Sequence, residues 1–213
     1  MALIGKVPRE KVKGTVGTAS REQKERFPQF PEFPRSGSHH TKGNHVNNPI
    51  HPQTTIGHVH LKVSDLARAV KFYTEVLGFE VMTQLGDSAA FLSAGGYHHH
   101  IGLNTWESAG GPRPAPGTTG LYHFAILLPS RRELARTLKR VIDHGWPIEG
   151  AADHGVSEAI YFSDPDGNGI EIYADRPRHQ WPKDQNGEFT MVTAPLDFAS
   201  LMAELESEEV PEI

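Results

Sequence analysis

The chain has 213 residues, of which 37% are hydrophobic, and a formal net charge of −5 at pH 7. This length is sufficient for one substantial hydrophobic core, or for two small modules that share one. The mild charge, with no cluster of Lys and Arg interleaved with aromatic residues, argues against a nucleic acid as partner, and the absence of cysteine excludes disulfides and thiolate metal ligands.

The sequence shows no sign of a membrane protein. No apolar run approaches the roughly 20 residues that span a bilayer, and the opening residues, MALIGKVPREKVKG, lack the apolar centre of a signal peptide. We therefore expect no membrane partner and a cytoplasmic location, which the lack of cysteine also fits.

The first 53 residues differ in composition from the rest of the chain. The stretch FPQFPEFPRSGSHHTKGNHVNNPIHP is rich in Pro, Gly, Asn and His and shows neither helical nor strand periodicity. Residues 1–50 contain nine Lys or Arg and four Asp or Glu, a net charge of +5, which leaves −10 for the remainder. We interpret residues 1–53 as an N-terminal arm that either packs in extended form along a partner subunit or is disordered.

A β-α-β-β-β order begins at residue 54. IGHVHLKV alternates apolar and polar residues as a strand does, and SDLARAVKFYTEVLGF has apolar residues at helical spacing, with Ser64 or Asp65 able to cap the helix. FEVMTQLG, SAAFLSAG and HHHIGLNTW supply three more strands, divided by glycine-containing turns. Residues 54–109 are thus predicted to form one βαβββ module.

The same order recurs after the linker GGPRPAPGTTG. LYHFAILLP predicts a strand, SRRELARTLKRVIDHG a helix, and WPIEGAADHG, EAIYFSDP and GIEIYAD three further strands. When His58 is aligned with His123, the two helices superpose in sequence and both end in Gly before an aromatic residue. We therefore predict a duplicated module at residues 119–178.

Residues 183–213 are predicted to form a C-terminal tail. PLDFASLMAEL is typical of a short amphipathic helix. Its docking face would consist of apolar residues at helical spacing: Leu196, Phe198, Leu201, Met202 and Leu205. The tail would either cap the functional site or simply end the chain.

Strand alternation predicts three potential metal ligands on one concave face. Apolar branched residues occupy one parity of each strand and would pack under the helix, which leaves His58, His123 and Glu171 on the other parity. Non-haem Fe(II) oxygenases use two His and one carboxylate in this way, although Zn(II), Mn(II) or Ni(II) could be held too. A lone strand histidine is most often a satisfied, partly buried side chain, but His at matched positions of two repeats favours a metal site.

Three segments resemble the vicinal oxygen chelate superfamily, which includes glyoxalase I, fosfomycin-resistance proteins and type I extradiol dioxygenases. They are GHVHLKVSDLARAVKFYTEVLGFEV, LYHFAILL and YFSDPDGNGIEIYADRP. The resemblance covers about residues 56–181, and FSDPDGNGIEIY is fairly specific for the superfamily. It implies an α+β fold at residues 54–182, in which two tandem βαβββ modules form a curved mixed sheet around a metal site.

Within that superfamily, the chain is most similar to small catechol 2,3-dioxygenase-like type I extradiol dioxygenases. The resemblance implies metal ligands at His58, His123 and Glu171. It also implies an acid-base histidine just before the fourth strand, a histidine in a His-Gly pair and a tyrosine ten residues before the glutamate. His99, His154 and Tyr161 match these three positions in turn.

The choice within the run of three histidines is open. Strict strand alternation would turn His98 and His100 toward the cavity, whereas the motif selects His99. We prefer His99 because Gly95 and Gly96 could start the strand irregularly, and His100 is the alternative.

The resemblance implies an Fe(II)-dependent dioxygenase, with Mn(II) or another divalent metal as a further possibility. Its partners would be a small aromatic diol and O₂, and the chain would form a homodimer or a higher homo-oligomer. A glyoxalase-like lyase would share the fold, but that enzyme uses a second glutamate from the fourth strand, and HIGLNTW has none. The same fold also serves fosfomycin-type thiol transferases and metal-independent binding modules, so the fold by itself does not exclude these two functions.

Overall fold

The computed structural model describes residues 49–206. Most of the predicted N-terminal arm, including its Pro-Phe repeat, lies outside these residues, as does the end of the predicted tail. The boundaries that we assign to the arm, the central domain and the tail stay predictions. In the part of the chain that the structure describes, no helix is long and apolar enough to cross a membrane.

The first module folds in the predicted order. It consists of β1 (Val59–Lys62), α1 (Leu66–Lys71), a π-helical turn (Phe72–Val76), β2 (Glu80–Leu85), β3 (Ala89–Ser93) and β4 (Ile101–Asn104). The four strands form one sheet in the order β1-β4-β3-β2, in which β1 pairs parallel with β4 and the other pairs are antiparallel. Asp65 caps α1 by accepting a hydrogen bond from the backbone N–H of Arg68 at 3.0 Å.

The second module repeats this plan. It consists of β5 (Phe124–Leu127), α2 (Arg131–Asp143), β6 (Gly150–Asp153), β7 (Ser157–Ser163) and β8 (Gly169–Asp175). The strand order is β5-β8-β7-β6, again with one parallel pair, between β5 and β8. The prediction of an α+β chain built from two βαβββ modules is confirmed, and each module contributes its own four-stranded mixed sheet.

The two modules share one hydrophobic core. Phe72, on the helical segment of the first module, lies 4.5 Å from Trp146 and 6.5 Å from Phe162 of the second, measured between ring centroids. The largest fully buried side chains come from both modules: Tyr73, Phe162, Leu92, Ile101, Leu103, Leu134, Leu138, Ile160, Ile170, Ile172, Leu201 and Val63. Burial of these side chains is the main stabilising contribution to the packing of one module on the other.

A buried polar network joins the modules beside this core. Asp164, in the turn between β7 and β8, accepts hydrogen bonds from the Tyr73 hydroxyl at 3.0 Å and from the backbone N–H groups of Asp166 and Asn168. Asp166 in turn pairs with Arg68 at 2.7 Å. The segment FSDPDGNGIEIY thus holds the helix of one module against the strands of the other.

The C-terminal tail ends in α3 (Phe198–Ala203), where the amphipathic helix was expected. Leu196 and Leu201 are buried, and Met202 and Leu205 pack against the core. Phe198 stays exposed, because α3 has fewer than two turns and only one side can face the core. Arg131 fixes this segment through ion pairs of 2.6 Å with Glu158 and with Glu204.

We predict that Tyr73→Phe destabilises the fold. The substitution leaves the buried Asp164 carboxylate without one of its donors, so we expect the free energy of unfolding to fall by about 1–3 kcal/mol. Denaturant titration measures the change. Tyr97→Phe, at an exposed position, is the matched control, and equal unfolding free energies for the two variants would contradict the role of the Tyr73 hydroxyl.

Candidate functional site

His123 and Glu171 meet at the parallel pair of the second sheet. His123 directly precedes β5, and Glu171 lies on β8 opposite Ala125. Ile170 and Ile172 are fully buried under the helix, so strand alternation turns Glu171 to the other face, as predicted. His123 Nε2 is 2.9 Å from Glu171 Oε2.

Gly169 is the reason that the chain before β5 can approach β8 so closely. A Cβ at this position would lie 2.1 Å from the carbonyl oxygen of Tyr122 and 3.1 Å from the Cβ of His123. Only glycine allows that approach without displacing backbone. The residue that makes room for His123 is therefore the first residue of the strand that carries Glu171.

Tyr161 and His154 extend this pair into a hydrogen-bonded chain. Tyr161 lies on β7 directly opposite Glu171, and its hydroxyl is 3.1 Å from Glu171 Oε1 and 2.9 Å from His154 Nε2. His154 Nδ1 is 3.2 Å from the carbonyl oxygen of Val192 in the tail. Burial, and then the negative charge of Glu171, raise the pKa of Tyr161 well above its ordinary value, so its hydroxyl keeps its proton at neutral pH.

This series of hydrogen bonds allows two arrangements of protons. The backbone carbonyl of Val192 can only accept a hydrogen bond, and the Tyr161 hydroxyl has one proton to donate. If Tyr161 donates to Glu171, then His154 donates from both ring nitrogens and is cationic. If Tyr161 donates to His154, the ring is neutral and donates to Val192 alone. In both arrangements the Tyr161 hydroxyl connects the Glu171 carboxylate to the His154 ring through hydrogen bonds.

A histidine cluster lies on the first module. His58 directly precedes β1, and the backbone N–H of Val59 bonds to the carbonyl of His100 at 3.0 Å, which brings the histidine run alongside. The ring of His58 is 4.4 Å from that of His99, between centroids, and His99 also contacts Phe91 at 5.1 Å. Partial desolvation, and then the neighbouring imidazoles, lower the pKa of His99, which favours its neutral form.

His100 has different contacts from His99. Its Nδ1 is 3.1 Å from the Ser93 hydroxyl and 3.3 Å from the backbone N–H of Ala94. Gly95 and Gly96 have φ angles of 71° and 76°, and β4 begins only at residue 101, so the three histidines precede the regular strand and its alternation does not apply to them. The structure thus places His99, rather than His100, against His58.

The predicted ligand set is divided between these two groups. His123 and Glu171 lie together on the second module, and His123 Nδ1 is buried without a hydrogen-bond partner among the described residues. His58 lies with His99 and His60 on the first module. Within residues 49–206 of one chain, no three His, Asp or Glu side chains are positioned to hold a metal ion. The assignment of His58, His123 and Glu171 as metal ligands therefore stays a prediction.

A family profile described as the glyoxalase/bleomycin resistance protein/dioxygenase superfamily matches residues 55–172. This span runs from the residues before β1 into β8 and includes every predicted ligand. The chain belongs to this superfamily.

The relatives of this chain include proteins with dioxygenase names. A protein of Bacillus subtilis (strain 168) named catechol-2,3-dioxygenase is 48% identical over 155 residues, which cover 73% of this chain and 53% of that protein. Biphenyl-2,3-diol 1,2-dioxygenase 3 of Rhodococcus globerulus is 29% identical over 161 residues, which cover 74% and 84%. The chain thus spans about half the length of the Bacillus protein.

A solved structure supports the superfamily fold. The crystal structure of a glyoxalase/dioxygenase from Nostoc punctiforme superposes with a TM-score of 0.50 at 22% identity, covering 62% of this chain and 99% of that one. At this identity the likeness concerns the fold alone, and it agrees with the two-module architecture.

Sequence reasoning missed three contributors to these groups. Phe91 packs against His99, Gly169 makes room for His123, and Val192 accepts from His154. The alternation of side-chain directions along β3 could have indicated Phe91. No pattern indicates Val192, because its contact with His154 spans 38 residues and involves no regular element of the tail.

We predict that Gly169→Ala separates His123 from Glu171. The added methyl overlaps the Tyr122 carbonyl, so the chain before β5 must move and stability should fall by about 1–3 kcal/mol. Chemical unfolding and the NMR signals of the His123 ring measure both effects. Gly57→Ala is the control, because Gly57 directly precedes His58 and a Cβ there makes only an ordinary contact of 3.8 Å; an unshifted His123 signal in Gly169→Ala would refute the prediction.

Proposed function

We propose that the protein is an extradiol ring-cleaving dioxygenase, which inserts both atoms of O₂ into a catechol-type aromatic diol. The observation that carries this proposal is the hydrogen-bonded chain His154–Tyr161–Glu171–His123 on the open face of the second sheet. It combines two side chains of the kind that bind metals with the hydroxyl of Tyr161 and the ring of His154, which can donate or accept a hydrogen bond.

A divalent metal, with Fe(II) first and Mn(II) as an alternative, would be held by His58, His123 and Glu171. Neutral imidazoles and one carboxylate suit such an ion and leave coordination positions open. When bound, the metal would supply the electron transfer between diol and O₂. The pairing of His123 with Glu171 at 2.9 Å supports two of these three assignments.

His99 is the proposed acid-base residue. Its lowered pKa keeps the ring neutral at neutral pH, the form that accepts a proton from a diol hydroxyl. Its contact with His58 would hold it beside the metal ligands. His100, the alternative, is already engaged by Ser93 and Ala94.

Tyr161 and His154 are the proposed hydrogen-bond donors to the substrate oxygens. Because the pKa of Tyr161 is raised, its hydroxyl remains a donor throughout the neutral range. To donate to a substrate oxygen, the Tyr161 hydroxyl would exchange its hydrogen bond with Glu171 for one with the substrate. A positioned donor of this kind stabilises developing negative charge, which is often the largest single contribution to catalysis. The Val192 carbonyl would fix the ring orientation of His154.

The relatives support an aromatic diol and O₂ as the substrates. Both are named for reactions on adjacent aromatic diols, catechol in one case and biphenyl-2,3-diol in the other. A lyase is disfavoured because β4 carries no carboxylate. By register, Gly102 of β4 is the counterpart of Glu171 in β8, so the first module lacks the second glutamate that such a lyase would use.

The test is anaerobic reconstitution with Fe(II), followed by catechol and air. We expect a yellow ring-cleavage product from the wild-type chain and none from Glu171→Gln, which removes the carboxylate charge but keeps the side-chain shape. Glu149→Gln, at an exposed position outside the site, is the matched control. If iron-loaded wild type gives no colour with catechol or simple substituted catechols, the dioxygenase proposal is wrong.

We further predict that Tyr161→Phe lowers kcat by roughly 100-fold, because a fixed donor is lost. Tyr173→Phe is the matched control: Tyr173 follows Glu171 by two residues on the same face of β8 and is likewise half-buried. Steady-state kinetics of ring cleavage distinguish the two variants. A loss confined to KM in Tyr161→Phe would assign its hydroxyl to substrate binding alone.

A further inference from the structure

His154 lies in the tight turn that joins β6 to β7. Its backbone N–H donates to the carbonyl of Ser157 at 2.9 Å, and Gly155 follows it with a φ angle of 73°. The ring points to the open face of the sheet, where its Nε2 is 2.9 Å from the Tyr161 hydroxyl. A side chain on a turn keeps such a position only if the residues around it fix the turn.

The strand positions at the base of this turn place two like charges opposite each other. Asp153, the last residue of β6, pairs directly with Glu158 of β7. Both carboxylates lie on the face that packs on the core, as the neighbouring pair of Ala151 and Ile160 does. Like charges that are directly opposite on one face of a strand pair repel each other and destabilise the pairing. Without a cation, this repulsion would open the hairpin at its turn.

Arg176 supplies that cation to both carboxylates at once. Its Nη2 is 2.7 Å from Asp153 Oδ2 and 2.9 Å from Glu158 Oε1. The Glu158 side chain is only 8% exposed, so solvent screens its attraction to the guanidinium weakly. The backbone N–H of Arg176 also donates to the carbonyl of Val156 at 2.7 Å, within the turn. Arg176 thus joins the end of β8 to both sides of the hairpin.

Asp153 transmits this constraint to the backbone on either side of His154. Its Oδ1 accepts a hydrogen bond from the N–H of Gly155 at 2.8 Å, so the carboxylate spans the histidine. Its own N–H and carbonyl bond to Ala194 in the tail at 2.8 and 2.9 Å. Val192, two residues earlier in the tail, has its carbonyl oxygen 3.2 Å from His154 Nδ1. The backbone and the ring of His154 are therefore held from the same side chain outward.

We propose that Arg176 and Asp153 are positioning residues for His154. Their ion pair, on the core side of β6 and β7, holds the imidazole ring against the Tyr161 hydroxyl on the open side. Neither residue belongs to the series of hydrogen bonds that leads to Glu171, and both act through the turn. The placement of the ring is a matter of structure alone, whereas its effect on turnover rests on the proposed function.

The test follows the ring nitrogens of His154 by NMR in the full-length chain, with isotope-labelled histidine and no added metal. His154→Gln identifies the two signals by their disappearance. Tyr161→Phe then reports the contact, because removal of the hydroxyl shifts the Nε2 signal when the ring lies against it. In an Arg176→Met background we expect Tyr161→Phe to leave that signal nearly unchanged, since the ring is already displaced.

Arg131→Met is the matched control. Arg131 pairs with the same Glu158, at 2.6 Å, and its side chain is 30% exposed against 33% for Arg176. Its other carboxylate partner is Glu204 of the tail rather than a residue beside the turn. We expect Tyr161→Phe to shift the Nε2 signal in this background as much as in the wild-type chain.

Two further variants separate the ion pair from general damage to the fold. Asp153→Asn keeps the acceptor for the Gly155 N–H but removes the charge that Arg176 binds, so it should abolish the shift as Arg176→Met does. Arg176→Lys keeps a cation and should restore part of the shift. Circular dichroism of each variant confirms that the chain is folded, and Asp153→Asn decides the question if Arg176→Met does not fold.

Two NMR results would overturn the proposal. One is a shift on Tyr161→Phe that is as large in the Arg176→Met and Asp153→Asn backgrounds as in the wild type. The other is loss of the shift in Arg131→Met, because any broken ion pair at Glu158 would then displace the ring.

Ring cleavage by the iron-loaded chains separates this inference from the proposed function. We expect Arg176→Met to lower kcat roughly 10- to 100-fold with KM nearly unchanged, because a displacement of about 1 Å is sufficient for such a loss. Arg131→Met should keep the wild-type kcat. If the NMR results hold but the wild type cleaves no catechol, the positioning stands and the dioxygenase proposal fails. If the wild type cleaves catechol and Arg176→Met has its full kcat, the function stands and the positioning role is wrong.

Discussion

The buried carboxylate of Asp164 is the interaction on which most of this structure depends. It lies in the turn between β7 and β8, where it accepts the backbone N–H groups of Asp166 and Asn168 and the amide of Asn168. The same carboxylate accepts the hydroxyl of Tyr73 from the other module. A buried charge is tolerated only when its hydrogen bonds are complete, so one side chain fixes both the turn and the packing of the modules.

The functional side chains follow from the strands on either side of that turn. Because the turn fixes the register of β7 and β8, Tyr161 comes to lie opposite Glu171, and Phe162 opposite Ile170. Side chains on one face of these strands therefore pack in the core, and those on the other face form the series of hydrogen-bonded polar side chains. The parallel pairing of β5 with β8 then adds His123, through the close approach that Gly169 permits. Stability and chemistry thus depend on the same strand pairs, on opposite faces.

Sequence patterns were sufficient for the order of the elements, the cap at Asp65 and the inward parity of residues such as Leu61 and Ile172. These features are local, because each depends on spacing within a few residues. The position of the three histidines does not follow from such local spacing. Gly95 and Gly96 have positive φ angles, and β4 begins only at residue 101. Nor can a repeat reveal which faces of its modules meet, since that depends on tertiary packing such as the contact between Tyr73 and Asp164.

The two modules share one strand arrangement but carry different polar side chains at matching positions. In the parallel pair of the first sheet His60 lies opposite Gly102, and in that of the second Ala125 lies opposite Glu171. A Cβ on Gly102 would lie 2.9 Å from the His60 ring, so each pair combines one large polar side chain with one small residue. At matching positions the first sheet therefore presents an imidazole and the second a carboxylate. The same strand plan thus carries side chains of opposite chemical character in the two modules.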